Sequence, residues 1–466
     1  MEHDKTPRFR CGRFHDEHKG FDLHTKQCKE CKWSLEKMCN RCNKFTSYSN
    51  FAKHRCGGGV VETQPRKLRF VCLGSGWRLD PHDCGRFGVV PMGQYRDPLP
   101  NGFPTDLFRQ IPVLDPSGDS TGIDAYDAIW GYIGMDTKNY ELVRSFRTLD
   151  ELMSAVKSRS LPEGLDFLAM GEWIHPMIYE TESRKMVEEA LHTLRNLEID
   201  AKLRIFPPLD YVWFFAQKVL YCSHLGQWID KSLNARPIPM IVVPSGHFWK
   251  QQMQEFAASH SSKSLMFKRD LSDGKKHAIP MEVSSLTGLP GRSEFRWMAQ
   301  PFLTEFTDFP EMRMYVLRGK CSFGVMTKFD ANDCITMTAT APGRRNWEEK
   351  YGGAEAASIA EKVVEIVSQD HAGAKFFMRV DLIRRRTRDA GGVGGVGGVG
   401  DFGWWINELE FFGNAYLLLE AFDNATDLLE DMVEMTKHWI RSMITKLNFL
   451  FLYLINRERE CDVRSR

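Results

Sequence analysis

Two segments late in the chain alternate polar and apolar positions with the two-residue period of a β-strand. In Phe377-Met378-Arg379-Val380-Asp381-Leu382, Arg379 and Asp381 share one face, with Met378, Val380 and Leu382 opposite. In Trp404 to Phe411, Glu408 and Glu410 share one face, with Asn407, Leu409 and Phe411 opposite. Ser264-Leu265-Met266-Phe267-Lys268 predicts an apolar strand ending in a lysine. Further strands are expected over Arg69 to Gly76, Leu165 to Met170 and Ile238 to Val243. Helical spacing marks Leu149 to Val156 and also Glu182 to Leu197, whose apolar positions are Met186, Val187, Ala190, Leu191 and Leu194. A helix opened by Pro207-Pro208 carries Lys218, read as a solvated position. Helix and strand signals alternate from about 139 to 260, which suits an α/β layer. Residues 85–122, rich in Pro and Gly, read as irregular, and the apolar run Asn448 to Ile455 reads as a C-terminal helix. The glycine-valine repeat from Gly391 to Gly400 lies between the first two strands and reads as an enlarged hairpin loop.

If those two strands pair antiparallel, three carboxylates and a guanidinium converge on one face. Glu and Asp are poor strand formers, and here they stand among aromatic and apolar neighbours. Clustered carboxylates repel one another unless a cation lies between them. Hard oxygen ligands on rigid strands suit Mg²⁺ held together with nucleotide phosphates. The competing reading is a set of solvated positions on a half-exposed sheet.

Composition narrows the field. At 466 residues the chain is long enough for two to four domains. Hydrophobic content of 42%, charged content of 26% and a net charge of +1 suit a globular protein with no global bias toward nucleic acid or membrane. The first residues, with Asp4, Lys5 and Arg8, do not read as a secretory signal. No stretch has the length of a membrane span. Twelve cysteines in that setting point to reduced thiols and metal ligands inside the cell, in cytoplasm or nucleus.

Six of the cysteines fall in the first 56 residues: Cys11, Cys28, Cys31, Cys39, Cys42 and Cys56. Cys28-x-x-Cys31 and Cys39-x-x-Cys42 form two knuckles that can supply four thiolates to one Zn²⁺. Alternatively, Cys39 and Cys42 join His54 and Cys56 in a finger-like site with Phe45 and Phe51 as its core, and Cys28 and Cys31 belong to another site. Zinc binding is expected under either partition, because a basic head of this size has too little apolar surface to fold alone. A small zinc module suits a protein partner; nucleic acid is permitted but not indicated.

The carboxylate strands, taken with what precedes them, resemble the ATP-grasp superfamily of carboxylate–amine ligases. The matching order is Lys268, the turn Ser272-Asp273-Gly274-Lys275-Lys276, Trp297 to Phe306, Glu311-Met312-Arg313, Arg379-Val380-Asp381 and Asn407-Glu408-Leu409-Glu410. Glu410 stands where that family more often has Asn. The resemblance covers about residues 200–425. It implies an ATP-grasp fold, two α+β subdomains gripping ATP, preceded by an α/β pre-ATP-grasp domain, to which the cysteine spacing adds a small zinc-bound head. The corresponding boundaries are 1–60, 65–200, 201–425 and a helical tail at 426–466. It implies that Lys268 meets ATP phosphates and that Gln300, Phe302, Leu303 and Glu305 lie on the adenine linker and ribose. Asp381, Glu408 and Glu410 would hold Mg²⁺, while Arg313 and Arg379 would act on the transferring group or substrate. The activity implied is ATP- and Mg²⁺-dependent activation of a carboxylate, on a small molecule or peptide, as an acylphosphate attacked by an amine. Two other readings fit the same residues: a non-catalytic nucleotide-binding protein docked through its zinc head, and a zinc-finger regulator. ATP consumption separates the first from the other two.

Overall fold

The computed structural model folds into two compact units, Met1–Arg66 and Lys67–Arg466. In the first unit it describes Arg66 and the backbone of five short strands: β1 (Phe9–Cys11), β2 (Phe21–Asp22), β3 (Gln27–Cys28), β4 (Leu35–Met38) and β5 (Phe45–Ser47). In the second unit it describes residues 67–74, 89–92, 99–108, 111–113, 120–171, 183–200, 203–229, 233–271, 278–289, 294–303, 305, 309–329, 335–340, 352–386, 402–413, 415 and 428–444. In the first unit, β1 and β5 flank β4, and β2 pairs with β3. Of the expected zinc ligands, Cys28 is described only as backbone in β3. Cys31, Cys39, Cys42, His54 and Cys56 lie outside the described residues, as do the glycine-valine repeat and the run from Asn448.

The second unit begins with β6 (Leu68–Leu73), followed by β7 (Val89–Met92), β8 (Ile111–Val113) and β9 (Ser120–Asp124). The last three form a small antiparallel sheet inside the segment expected to be irregular. Pro91 and Pro112 sit on its two outer strands, where a missing N–H costs no ladder bond. Next come α1 (Ala125–Met135), β10 (Tyr140–Phe146), α2 (Leu149–Lys157), β11 (Phe167–Met170), α3 (Arg184–Asp200) and β12 (Arg204–Phe206). The strands make a parallel sheet in the order β10-β6-β11-β12, so the expected α/β layer is present. Its inner strands β6 and β11 carry the buried apolar runs Phe70–Leu73 and Phe167–Met170, as a sheet covered on both faces requires, while the edge strand β10 is partly exposed. On α3 the buried stripe is Val187, Ala190, Leu191, Leu194 and Leu197, whereas Met186 is 59% exposed. The stripe follows the helical period and leaves Met186 to one side.

Gly131 in the middle of α1 is a close approach rather than a flexible point. A Cβ there would come within 2.2 Å of the Phe103 ring, and that ring is itself buried. Gly131→Ala is expected to lose about 1–3 kcal/mol from overpacking, despite the better helix propensity of Ala. A denaturant midpoint equal to that of the parent would contradict this.

The chain then forms α4 (Leu209–Ala216) and α5 (Lys218–Trp228), two helices where the sequence suggested one. β13 (Ala235–Pro237) and β14 (Ile241–Val242) follow. They replace the single strand expected over Ile238 to Val243, and they belong to different sheets. Pro239 between them cannot donate a ladder bond. The smaller sheet, β14-β17-β15-β16, adds β15 (Ser264–Arg269), β16 (Ala278–Glu282) and β17 (Trp297–Pro301), with α6 (Trp249–Ser259) on one side. Leu265 and Phe267 point to that side, into a core with Trp249, Met253, Ala257 and Trp297. Each such side chain, fully buried, contributes about 1.5–3 kcal/mol. Trp297–Pro301, expected to lie within a linker, is therefore a buried strand.

The larger sheet runs β13-β22-β21-β18-β19-β20. It contains β18 (Glu311–Leu317), β19 (Lys320–Phe329), β20 (Ile335–Thr340), β21 (Phe377–Arg386) and β22 (Phe402–Glu410). Arg318 (φ 55°) and Gly319 (φ 76°) close the tight β18–β19 hairpin, the two positive values that a primed turn requires. Helix α7 (Gly353–Asp370) lays Ala356, Ile359, Ala360, Val363, Val364 and Val367 into a core shared with Met312, Met314, Met378 and Val380. The described chain ends in a helix over residues 428–444. Among the described residues no helix is long and apolar enough to cross a membrane, and Cys72, Cys222 and Cys321 are free thiols.

Candidate active site

With one face of the larger sheet packed in the core, the other carries the charged positions of its strands. β21 pairs antiparallel with both β18 and β22, so directly opposed residues point the same way. Arg313 lies opposite Asp381 and Tyr315 opposite Arg379. On the other flank, Glu410 lies opposite Arg379 and Glu408 opposite Asp381. The convergence expected from the alternation pattern is therefore present.

The ladder slips by one residue at this point: Asp381 pairs with Glu408, but Leu382 pairs with Ile406. Asn407 is the extra residue of a β-bulge, which re-aims a side chain. Strict alternation assigns Asn407 to the opposite face, and the bulge corrects that. Its Nδ2 donates to Glu311 Oε1 at 2.7 Å, and its Oδ1 accepts from Lys268 Nζ at 2.9 Å. Lys268 comes from the smaller sheet, on the side of β15 away from the Leu265–Phe267 core, and donates also to Glu408 Oε1 at 2.9 Å. Lys218 reaches the same oxygen at 3.3 Å and Glu410 at 3.7 Å. Lys218, expected in solvent, is buried at the first turn of α5.

The remaining charges are tied in pairs. Arg379 donates through Nε and Nη2 to the two oxygens of Asp381, both at 2.8 Å, and its Nη2 lies 3.9 Å from Glu410. Among the described residues, Arg379 Nη1 is buried without a hydrogen-bond partner. Arg313 is held by Glu311, 3.1 Å from Nε and 3.0 Å from Nη2. Burial pushes the Asp381 carboxyl up, Arg379 opposes it, and Glu311 adds to the rise. Burial would raise Glu408 as well, but Lys218 and Lys268 outweigh it and hold that carboxyl well below the usual range.

Asp381, Glu408 and Glu410 thus face cations of the chain itself. Among the described residues no three His, Cys, Asp or Glu side chains form a group that could hold a metal ion. Lys218 and Lys268 meet Glu408, Lys218 stands near Glu410, and Arg379 bonds Asp381. The donor set is still hard oxygen on rigid strands. Mg²⁺ ordinarily takes one or two carboxylates together with phosphate oxygens and water rather than an all-protein cage, and that donor set fits it.

Beside the charges, Ile383 of β21, Ile238 after β13 and Leu303 after β17 form a separate apolar cluster with Trp405 packed on it. Arg385 stacks over the Trp405 ring at 4.5 Å. Both chain crossings between the two sheets therefore meet at an apolar floor next to the carboxylates. Among the linker residues, Leu303 belongs to this floor. Gln300 is buried on β17, opposite Met266 of β15. Phe302 commits its N–H to Ser264 O at 2.9 Å, and Glu305 is half-buried. The turn 272–277 lies outside the described residues. Sequence reasoning put Asn407 on the opposite face, favoured solvent for Lys218 and did not find the Ile238–Ile383–Trp405 floor.

No protein-family model matches the sequence, and neither does any curated protein. Solved structures similar to this one are ATP-grasp and D-alanine–D-alanine ligases and a D-cycloserine synthetase. The D-cycloserine synthetase DcsG matches at 13% identity and a TM-score of 0.45, over 67% of this chain and 95% of that one. The D-alanine–D-alanine ligase from Coxiella burnetii matches at 12% and 0.43, over 84% and 100%. The ATP-grasp ligase PsnB complexed with minimal precursor matches at 11% and 0.38, over 66% and 94%. Such distant likenesses leave the chemistry to the site's own geometry.

Proposed function

We propose that this chain is an ATP- and Mg²⁺-dependent ligase that activates a carboxylate as its acylphosphate for attack by an amine or similar nucleophile. One observation carries the reading: Lys268 of the smaller sheet and Lys218 of α5 converge on one oxygen of Glu408. Two ammonium groups at one carboxylate, beside an apolar floor, are the complement of a nucleotide with a polyphosphate tail. Lys218 and Lys268 would pass from Glu408 to phosphate oxygens. Glu408 and Glu410 would then turn toward the metal as hard oxygen ligands, and Asp381, still held by Arg379, would add its remaining lone pairs. Ile238, Leu303, Ile383 and Trp405 would take the base, with Gln300 and Phe302 at its edge and Glu305 toward the ribose. Arg379 Nη1 offers an uncommitted donor to the transferring group, and Arg313 would hold the acceptor carboxylate or the γ-phosphate. When bound, Mg²⁺ supplies neutralisation of phosphate charge.

The test is trapping. With Mg²⁺-ATP, a panel of amino acids and peptides, and hydroxylamine as the nucleophile, an acylphosphate-forming enzyme yields a hydroxamate and an equal amount of ADP. ADP without hydroxamate across carboxylates that support turnover would contradict the acylphosphate step.

A further inference from the structure

Asp270 follows Lys268 by two residues at the end of β15 and is fully buried, yet it touches none of the site's carboxylates or cations. Its Oδ1 accepts the backbone N–H of Val219 at 3.1 Å, in the first turn of the helix that Lys218 opens. The N-cap residue of that helix, Gln217, makes no capping bond of its own. Its side chain instead donates to Trp213 O at 3.1 Å and accepts from Arg296 at 3.1 Å. Asp270 is therefore the cap of α5, supplied from another element. A carboxylate suits that place, since a helix N-terminus carries partial positive charge. Its other oxygen, Oδ2, accepts from Arg296 through Nε at 2.9 Å and Nη2 at 2.7 Å. The backbone N–H of Asp270 donates to Arg296 O at 2.8 Å. Arg184, the first residue of α3, stands 3.8 Å from Oδ2.

These contacts join two pieces of chain that must agree in position. Lys268 is fixed by its strand. Lys218 is fixed only as well as the start of α5, and it must reach the same oxygen of Glu408. The bond from Asp270 to Val219 ties the residue after Lys218 to the residue two after Lys268. We propose that Asp270, clamped by Arg296, is a positioning residue that registers Lys218 against Lys268 and so sets the spacing of the two ammonium groups. This rests on the nucleotide-site reading for its purpose, though the positioning itself can be measured without nucleotide.

The experiment is limited acetylation of the full chain, quantified by mass spectrometry at Lys218, Lys268 and the surface residue Lys320. Asp270→Ala is expected to raise labelling of Lys218 on the order of tenfold over the parent, with Lys268 and Lys320 unchanged. Asp270→Asn retains an oxygen for the Val219 N–H and is expected to keep Lys218 close to parental protection. If Asp270→Ala does not fold, Arg296→Leu, which leaves the cap but frees its clamp, is expected to give a smaller rise at Lys218 alone. Unchanged Lys218 labelling in a folded variant, or a rise shared by all three lysines, overturns the proposal. In a second arm, Mg²⁺-ATP affinity is measured for Asp270→Ala, Lys218→Met and the double variant. Action through Lys218 predicts that the double variant binds no more weakly than Lys218→Met; additive losses contradict it. Failure of the parent to bind nucleotide would overturn the nucleotide reading and leave the labelling result to decide the positioning role.

Discussion

Asp381→Asn is expected to destabilise the ligand-free protein by about 3–5 kcal/mol, the cost of leaving a buried charge without its partner. Arg379 is the charge at risk. It is buried, and two of its nitrogens depend on the two oxygens of Asp381. A third nitrogen lacks a partner among the described residues, and Glu410 stands at 3.9 Å. An asparagine amide can accept through one oxygen, and it brings no charge. The urea midpoint should fall with little change in slope. A companion variant, Arg379→Met with Asp381→Leu, removes both charges together. It should recover much of the lost stability, as buried pairs replaced by apolar groups often do. On the proposed function nucleotide binding should still be lost, because a carboxylate proposed to face the metal is gone. An Asp381→Asn protein as stable as the parent would show that the pair is not holding this face together.

The second large effect concerns Lys268. Lys268→Met is expected to weaken Mg²⁺-ATP binding by about 30-fold or more, the lower end of the scale for truncating one partner of a buried, hydrogen-bonded charge pair. The ammonium of Lys268 bonds both Asn407 and Glu408, so it fixes the bulge as well as presenting positive charge. Lys218 remains on Glu408, which limits the effect on the ligand-free fold. The Glu408 carboxyl should titrate higher in the variant, since burial then opposes one lysine instead of two. Lys320→Met is the control. That lysine is exposed and paired with Glu361 at 2.9 Å, and its loss should leave nucleotide affinity unchanged.

The sequence made some of this legible. The period of two along β21 and β22 assigned Arg379, Asp381, Glu408 and Glu410 to one face, and the lysine of β15 was visible as a charge among apolar neighbours. What escaped has physical reasons. Asn407 enters the site only because the ladder slips by one residue, and periodicity assumes an unbroken ladder. One continuous helix from Pro207 leaves Lys218 at a solvated position; the break at Gln217 makes it the first residue of α5, aimed at the site. Ile238 and Ile383 are far apart in sequence, and only the topology brings them together. Pro239 splits an expected strand between two sheets, and Pro91 and Pro112 suggest irregular chain where they mark outer strands.

The central claim is that Glu408 and Glu410 form part of a metal–nucleotide site. Calorimetric titration of Mg²⁺-ATP into the parent and into a Glu408→Gln, Glu410→Gln double variant tests it most directly. The account predicts metal-dependent binding by the parent that is strongly weakened in the double variant. Absence of nucleotide binding by well-folded parent protein, or equal binding by both, would contradict it.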